Sequence, residues 1–267
     1  MFVFAFEYIH CVCGVGRTGK GVKMRFLHTA DWHLGRIFYG QYLTEDQAHV
    51  LEHQFFNILK DENIDGILLA GDIFDRAVPP IEAIELWDSI ITRLAMDYKV
   101  PLFVVSGNHD GAERLEVGRS MLSQSGIHIW GSPHHALKPF EFEGTDGKVA
   151  ICPMPFSEPR RIGEALFADV ESTNTETTNI EIADIVTPCY EQNCESALNL
   201  HNYDQMYQAW SNYLYKQVPK GMRSIAISHA FVMGGEVGGS ERTLSVGGSE
   251  QVNPQVFKDF HYTALGH

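Results

Sequence analysis

Residues 24–35, MRFLHTADWHLG, place an apolar run directly before polar residues that can bind a metal ion. The run 25–30 has the composition of a buried β-strand, and Asp31 and His33 follow it at once. The chain repeats this arrangement, an apolar run and then polar residues, several times. We therefore expect strands that deliver polar side chains to one edge of a sheet.

Strand and helix patterns alternate after this stretch. Strands are predicted at 64–70 and 100–105, because both are short apolar runs. One helix is expected to begin at Thr44, where Thr44 and Gln47 have the spacing of a capping box, and Pro79 and Pro80 open another. Further strands are predicted at 127–130, 149–152, 224–227 and 262–265, and helices near 113–124 and 203–217. This alternation predicts an α/β fold.

The composition is that of a globular protein. The chain has 267 residues, of which 44% are hydrophobic, and no apolar run approaches the roughly 20 residues of a membrane span. Its five cysteines form an odd, scattered set, which argues against a disulfide framework and for a reducing compartment. We therefore expect a soluble, cytoplasmic protein with no membrane segment.

The charge balance limits how the protein can interact with nucleic acid. Twenty basic residues stand against 34 acidic ones, which gives a formal net charge of −14. Such a chain does not coat DNA nonspecifically through a basic surface. Screening confines exposed charges to about 8 Å at physiological salt, so bound cations can still dominate one site. The balance therefore permits a metal-dependent site that acts on phosphate.

Two segments differ in composition from the rest of the chain. Residues 14–20 fit G-x-x-x-x-G-K, but Gly21 replaces the Ser or Thr that a phosphate-binding loop requires. We interpret the match as incidental and residues 1–23 as an N-terminal extension outside the fold. Residues 169–195 contain seven acidic residues and no Lys or Arg, so we expect a solvated insertion there.

Candidate metal ligands follow five of the predicted strands. They are Asp31 with His33, Asp72, Asn108 with His109, His229, and His267. Asp31 and Asp72, Asp72 and Asn108, and His229 and His267 are each separated by about 40 residues, close to one strand-helix-strand unit. The carboxyl ends of parallel strands lie at one edge of a sheet, so these side chains can meet in space.

The donor types indicate the metal and the reaction. Without His109, the set comprises two Asp, one Asn and three His, and it contains no Cys. Such donors suit Mn²⁺, Fe²⁺ or Zn²⁺ rather than a thiolate-bound structural zinc. They exceed the needs of one ion, whereas two ions about 3.5–4 Å apart would use them all and would stabilise both oxygens of a phosphoryl displacement. The residues alone thus predict a two-metal phosphoesterase.

The motifs resemble those of a known family. D-x-H, G-D, G-N-H-D, a later His and a closing G-H are similar to the signature of the calcineurin-like metallophosphoesterases. Longer matches resemble the SbcD-type nuclease subunits of bacterial SbcCD complexes: MRFLHTADWHLG, AGDIFD, VVSGNHD, CPMPFSEPR, SHAFVMGG, SERTLSVGG and YTALGH. The resemblance covers residues 24–267 apart from the insertion. It implies one metallophosphoesterase domain with a layered α/β/β/α sandwich fold.

The resemblance also implies a role for each candidate residue. Asp31 and His33 would bind the first metal ion, and Asp72 would bridge both ions. The second ion would be held by Asn108, His229 and His267. His109 would face the scissile phosphate, where it stabilises the transition state and helps to protonate the leaving oxygen.

The implied activity is that of a DNA nuclease with two divalent ions, in particular Mn²⁺. It would combine 3′-to-5′ exonuclease action on duplex ends with endonuclease action on single strands or hairpins, in recombination and repair. The implied partners are DNA and an SbcC-type ATPase subunit, with a homodimer inside a heterotetramer. Family members continue as G-H-x-H, whereas this sequence stops at His267, so we expect a C-terminally truncated domain that lacks one ligand of the first metal.

Other functions remain open at this point. The acidic composition suits a metallophosphatase or a cyclic-nucleotide phosphodiesterase, with the same chemistry on a smaller substrate. The missing second His also fits a truncated, inactive fragment that acts as a docking module.

Several further residues have expected positions. His28 lies inside a predicted strand and should belong to the core, and Asp110 should orient a neighbouring histidine or loop. Asp75 fits either a residue that supports a metal ligand or a surface partner of Arg76. The apolar stripe of the helix at 203–217 is most simply a core-facing surface, with a subunit contact as the alternative.

Overall fold

The computed structural model describes residues 6–10, 24–173, 200–234 and 251–267. The strands are β1 (Phe6–His10), β2 (Arg25–Thr29), β3 (Ile37–Phe38), β4 (Gln41–Tyr42), β5 (Gly66–Ala70), β6 (Leu102–Val105), β7 (Ile127–Trp130), β8 (Phe140–Gly144), β9 (Gly147–Met154), β10 (Arg223–His229) and β11 (Tyr262–Gly266). The helices are α1 (Thr44–Val50), α2 (Phe56–Asp61), α3 (Ile81–Arg93), α4 (Ala112–Leu115), α5 (Arg119–Gln124), α6 (Pro159–Thr173) and α7 (Tyr203–Lys216). A π-helical segment, Leu51–Phe55, joins α1 to α2, and another, Leu94–Tyr98, follows α3. In these ranges no helix has the length and apolar character needed to cross a bilayer.

The first sheet has five strands in the order β1-β2-β5-β6-β7. Strands β2, β5, β6 and β7 are parallel, and β1 is antiparallel to β2. Alternate side chains point to opposite faces, as the period of a strand requires. Leu27 and Leu69 pack on the helical side, whereas Phe26 and Leu68 face the second sheet. Both faces of these strands are therefore buried, which explains their continuous apolar runs.

The second sheet has four strands in the order β11-β10-β9-β8. Strands β9, β10 and β11 are parallel to one another, and β8 forms an antiparallel edge against β9. Helices α6 and α7 pack on the side of this sheet, and α1 to α3 pack on the first sheet. The order of layers is helix, sheet, sheet, helix, so the predicted α/β/β/α architecture is confirmed.

Helix α7 buries its predicted apolar stripe in the core. Met206, Tyr207, Trp210 and Leu214 are fully buried, and the Trp210 indole Nε1 donates to the Ala136 carbonyl at 3.1 Å. The core-facing interpretation of this helix is confirmed for the described chain.

The expected capping box at Thr44 is wrong. Leu43 occupies the N-cap of α1 and makes no side-chain cap bond, and within the described residues the buried Thr44 hydroxyl has no hydrogen-bond partner. Gln47, the other half of that motif, is buried and points toward the loop after β2. A distant tertiary contact thus uses the side chain that the local pattern assigned to a helix cap.

Other elements differ from the sequence prediction in extent. The helix expected at 113–124 is two short helices, α4 and α5, and strand β8 was not predicted. Phe6–His10 lies in the segment expected outside the fold, yet it forms the edge of the first sheet, with Phe6 opposite Thr29. Helix α6 includes the first residues of the predicted insertion; residues 174–199 and the 14–20 match lie outside the described residues.

Candidate metal centre

The carboxyl ends of five parallel strands bring the predicted ligands to one place. Asp31 and His33 follow β2, Asp72 follows β5, Asn108 and His109 follow β6, His229 ends β10, and His267 follows β11. The first two loops are joined by backbone hydrogen bonds from Asp31 N to Gly71 O (3.0 Å) and from His33 N to Asp72 O (2.9 Å). The loops therefore form one rigid rim, in which a shift of one ligand moves its neighbours.

The backbone at this rim is strained. Asp31, His33 and Asp72 have φ angles of 57°, 45° and 51°, in the left-handed region that most side chains avoid. Such strain costs about 1–3 kcal/mol per residue and persists where the surrounding structure enforces it. These turns direct the three side chains inward instead of letting the strands continue.

Asp72 lies at the centre of the site. Its Oδ2 is 3.7 Å from His33 Nε2 and 3.4 Å from His229 Nε2, and its Oδ1 accepts a hydrogen bond from His109 N at 2.9 Å. Two groups of metal-competent side chains share this carboxylate: Asp72 with His33 and His109, and Asp72 with His229 and His267. In each group the ligand atoms lie within 4.8 Å of one another. This is the arrangement that a bridging ligand between two ions requires.

His229 is oriented for a metal ion by a carbonyl behind it. Its Nδ1 lies 2.8 Å from Ala70 O, and a carbonyl only accepts, so Nδ1 carries a proton and donates. Nε2 then faces Asp72, and Asn108 Oδ1 lies 3.0 Å from it. A ligand histidine with a backbone acceptor behind it is typical of metal sites.

His267 and Asp31 are joined by hydrogen bonds beside Asp72. The backbone N–H of His267 donates to both Asp31 carboxylate oxygens, at 3.3 and 3.2 Å. The His267 ring packs edge-on against His229, with 5.0 Å between ring centroids. Asp31 Oδ1 is 4.0 Å from His33 Nε2, so this carboxylate borders the first group of ligands without belonging to its tight cluster.

His109 lies closer to the ligands than its predicted role required. Its ring packs edge-on against His33, with centroids 4.9 Å apart, and it shares a ligand cluster with His33 and Asp72. Its Nδ1 lies 2.9 Å from Asp75 O, so Nδ1 donates to that carbonyl and Nε2 points elsewhere. The ring is thus fixed with one nitrogen available to the site.

Asp110 holds two of the ligand loops, in keeping with its expected orienting role. Its carboxylate accepts hydrogen bonds from the backbone N–H groups of Ile73, Phe74 and Gly107, at 3.2, 2.9 and 2.8 Å. Burial, with the nearby Asp72 charge, raises the pKa of Asp110 to about 6. One buried side chain therefore ties the loop after β5 to the loop after β6.

Asp75 lies beside a metal-ligand candidate. Its Oδ1 is 3.7 Å from His33 Nδ1, a buried atom that has no hydrogen-bond partner within the described residues. This position supports the first of the two interpretations of Asp75, a carboxylate near the far nitrogen of His33.

Opposite charges shift the pKa values of Asp72 and His229. Burial raises the pKa of Asp72 and lowers that of His229, but their mutual attraction and hydrogen bonding prevail. The pKa of Asp72 therefore falls below its usual range, and that of His229 rises to about 9. Burial, followed by the charge of His229, lowers the pKa of His267 to about 4, and burial also lowers the pKa of His33. Only one of these three imidazoles is then protonated near neutral pH.

Two glycines leave room for the site. Gly71 has a φ of 87°, and a Cβ there would lie 2.3 Å from His229 Nδ1. A Cβ on Gly107 would lie 2.0 Å from Asp72 Oδ1. Any side chain at either position would displace a ligand.

The residue that sequence reasoning missed is Gln47. Its amide Nε2 donates to Trp32 O (3.0 Å) and His33 O (2.8 Å), and its Oε1 accepts from Gly35 N (3.1 Å). All three partners belong to the loop that carries His33. The sequence offered one signal, a polar side chain on the apolar face of an amphipathic helix, which marks a buried polar contact.

The residues present fit a pair of divalent ions. The set combines two carboxylates, an amide oxygen and imidazoles around a buried anionic centre, which is the donor set of borderline and hard divalent metals. A family model described as calcineurin-like phosphoesterase matches residues 24–218. The chain belongs to the calcineurin-like phosphoesterase family. It is a metal-dependent hydrolase of phosphoesters, with an α/β metallophosphoesterase fold.

Proposed function

We propose that this chain is a DNA phosphodiesterase of the SbcD type that uses two Mn²⁺ ions. The observation that carries the proposal is Asp72, one buried carboxylate shared by two groups of ligand side chains. The longer motifs at 24–35, 152–160 and 262–267 supply the preference for a nuclease over other members of the family.

Each residue has a distinct task in this proposal. Bound divalent ions supply an activated water and stabilise the oxygens of the phosphoryl group. Asp72 would hold both ions, the first together with Asp31 and His33. The second would be held by Asp72 with Asn108, His229 and His267.

His109 acts on the leaving group. Its Nδ1 is fixed by the Asp75 carbonyl, so Nε2 is the atom that can face the scissile phosphate. A protonated Nε2 donates to the oxygen that leaves, and the fixed ring keeps this donor in position through the reaction.

The proposed partners are DNA, an SbcC-type ATPase subunit and a second copy of the chain, in the cytoplasm. An apolar groove of about 390 Å³ between α3 and α4 supports the second copy. Val117, which lines the groove, is 75% exposed, and Ile81 in α3 and Met121 in α5 are 70% and 77% exposed. A two-fold interface uses the same self-complementary surface on both copies, and this face combines a groove with exposed apolar side chains.

The dimer is tested by sedimentation of charge variants. We expect Met121→Glu and Val117→Glu to shift the chain from dimer to monomer. Met96→Glu, at the exposed far end of the α3 region, is the control and should leave the dimer intact. A wild-type chain that sediments as a monomer at high concentration would refute the dimer.

The nuclease is tested with hairpin DNA and Mn²⁺. Asp72→Asn should lower the cleavage rate at least about 100-fold, because both ions lose a shared ligand. Asp97→Asn, a change of the same kind at an exposed position outside the site and the groove, should cleave at the wild-type rate. Cleavage by Asp72→Asn at near the wild-type rate would remove the bridging role.

The acidic composition favours one competing function, a phosphatase or cyclic-nucleotide phosphodiesterase. A net charge of −14 opposes the approach of a long polyanion more than that of a small phosphoester. Nitrophenyl phosphates and cyclic nucleotides, tested beside hairpin DNA, separate the two. A kcat/KM that is higher for the small esters than for DNA would decide for the phosphatase.

A further inference from the structure

Strand β11 determines the position of His267, and within its own sheet it is hydrogen-bonded to one neighbouring strand. It is the terminal strand of the second sheet and pairs with β10, with Ser228 opposite Leu265 and His229 opposite Gly266. It also contacts strand β5 of the first sheet. The distance between His267 and the ligands of the first sheet therefore depends on contacts between the sheets.

His28 on β2 makes two such contacts. Its Nδ1 lies 3.0 Å from the Tyr262 hydroxyl, and its Nε2 lies 3.1 Å from the Leu265 carbonyl. A carbonyl only accepts, so Nε2 carries a proton and donates to Leu265 O. Through its two nitrogens the ring joins the first and fourth residues of β11 to the first sheet.

These bonds enclose a pair of ligand candidates. Asp31 lies three residues after His28, and His267 lies two residues after Leu265. A second contact between the same two chain segments follows these bonds: His267 N donates to the Asp31 carboxylate. His28 is buried at 7% exposure, in a strand where an apolar residue would fill the space without a polar partner.

We propose that His28 is a positioning residue that sets the separation between Asp31 and His267. His28 contacts no reacting atom. It fixes the position of β11 relative to β2, and this position sets the distance between the residues that would hold the two ions. The inference rests on the two-metal site proposed above. Loss of the ring should leave each ion a partial set of ligands at the wrong separation.

The test compares a buried and a half-buried histidine of the same sheet, His28 and His128. His28→Leu removes both bonds to β11 and keeps an apolar filler. His128→Leu is the matched control, because His128 lies on β7 in an aromatic stack, 5.3 Å from the Phe103 ring centroid. Tyr262→Phe removes one hydroxyl and keeps the His28 ring.

Mn²⁺ titration calorimetry and electron paramagnetic resonance give the readouts. We expect both histidine variants to lose thermal stability, but only His28→Leu to bind the second Mn²⁺ about 10-fold or more weakly and to lose the spin-coupled pair. Tyr262→Phe should shift the same two quantities in the same direction by a smaller factor.

The outcomes separate this inference from the proposal on which it rests. If the wild type shows a spin-coupled Mn²⁺ pair and His28→Leu keeps it with wild-type Mn²⁺ affinity, the positioning role alone is overturned. The same holds if His128→Leu loses as much Mn²⁺ affinity as His28→Leu. If His28→Leu does not fold, unchanged Mn²⁺ binding by Tyr262→Phe overturns it. A wild-type protein without a coupled pair overturns the two-metal site and this inference together.

Discussion

His229 carries a proton that a metal ion must displace. Its pKa of about 9 means that the imidazole is mostly protonated at pH 7, whereas His267, with a pKa of about 4, is neutral. Metal ions bind the neutral form of histidine. Filling the site therefore releases a proton from His229 and none from His267.

We predict that Mn²⁺ binding releases about one proton at pH 7.5 and grows up to about tenfold tighter per pH unit until pH approaches 9. Calorimetry in two buffers of different ionisation enthalpy measures the release. His229→Asn should remove most of it. A binding enthalpy that is the same in both buffers would contradict the assignment.

His229 also makes the stability of the metal-free protein depend on pH. Here the dependence has the opposite sign, because stability falls as the pH rises. A raised histidine pKa stabilises the folded state fully below the unfolded value of about 6.5. That contribution is lost as the pH rises from there to about 9. In EDTA, we expect the free energy of unfolding to fall across this window, and Asp72→Asn to flatten the decline, because the opposite charge is gone. Urea denaturation at several pH values provides the measurement.

Gly107 tests the close packing around Asp72. In Gly107→Ala the new methyl group would lie 2.0 Å from Asp72 Oδ1, so the carboxylate has to move. We expect a loss of about 1–3 kcal/mol in stability and at least about 10-fold weaker Mn²⁺ binding. Gly111→Ala is the control: its methyl group meets the Ala77 carbonyl at 2.8 Å, so stability should fall while Mn²⁺ affinity stays unchanged.

At the scale of elements, helix α1 supports the His33 loop through one side chain. Gln47→Ala removes three hydrogen bonds, two of them buried, at about 1 kcal/mol each, so we expect a loss of roughly 2–3 kcal/mol on chemical denaturation. Mn²⁺ binding should weaken with it, because His33 loses its backbone support. Gln54→Ala, exposed on the same helical region, should change stability by less than about 0.5 kcal/mol. Equal effects of the two substitutions would refute this role.

The sequence predicts the strands that are apolar throughout. It misses the strands that are defined by their pairing with a neighbouring strand. Strands β5 and β6 are fully buried, so composition alone identifies them. Strand β8 alternates Phe140 and Phe142 with exposed Glu141 and Glu143, a weaker pattern whose meaning depends on its pairing with β9. The edge strand β1 is likewise identified as a strand by its pairing with β2 and not by its sequence pattern.

The residue types of the candidate site can be predicted from the sequence. The hydrogen bonds that orient these residues cannot. Polar residues after buried strands mark Asp31, Asp72 and His229, because those strands end at one edge. The bonds that orient them, such as Ala70 O to His229, join residues far apart in the chain. No local pattern encodes such a distance, which is why Gln47 was assigned to a helix cap.

At the scale of the whole molecule, net charge limits how the proposed DNA substrate can bind. A protein that makes 6–10 phosphate contacts through Lys and Arg loses about 10³–10⁵ in affinity between roughly 50 and 200 mM salt. This chain has 20 basic and 34 acidic residues, so we expect few such contacts with the proposed DNA substrate. In the proposed nuclease, ions bound at the Asp72 site, with a few neighbouring side chains, would supply the attraction.

We therefore predict that DNA binding requires the metal and depends weakly on salt. Fluorescence anisotropy with labelled hairpin DNA, Mn²⁺ and the slow variant His109→Asn should show less than about a tenfold loss of affinity between roughly 50 and 200 mM KCl. EDTA should abolish binding at any salt concentration, because an acidic surface then faces a polyanion. The Mn²⁺ content of the variant, measured in parallel, controls for metal loss. Tight binding in EDTA with a steep salt dependence would mean that a basic surface binds the DNA, and the metal site would then act in cleavage alone.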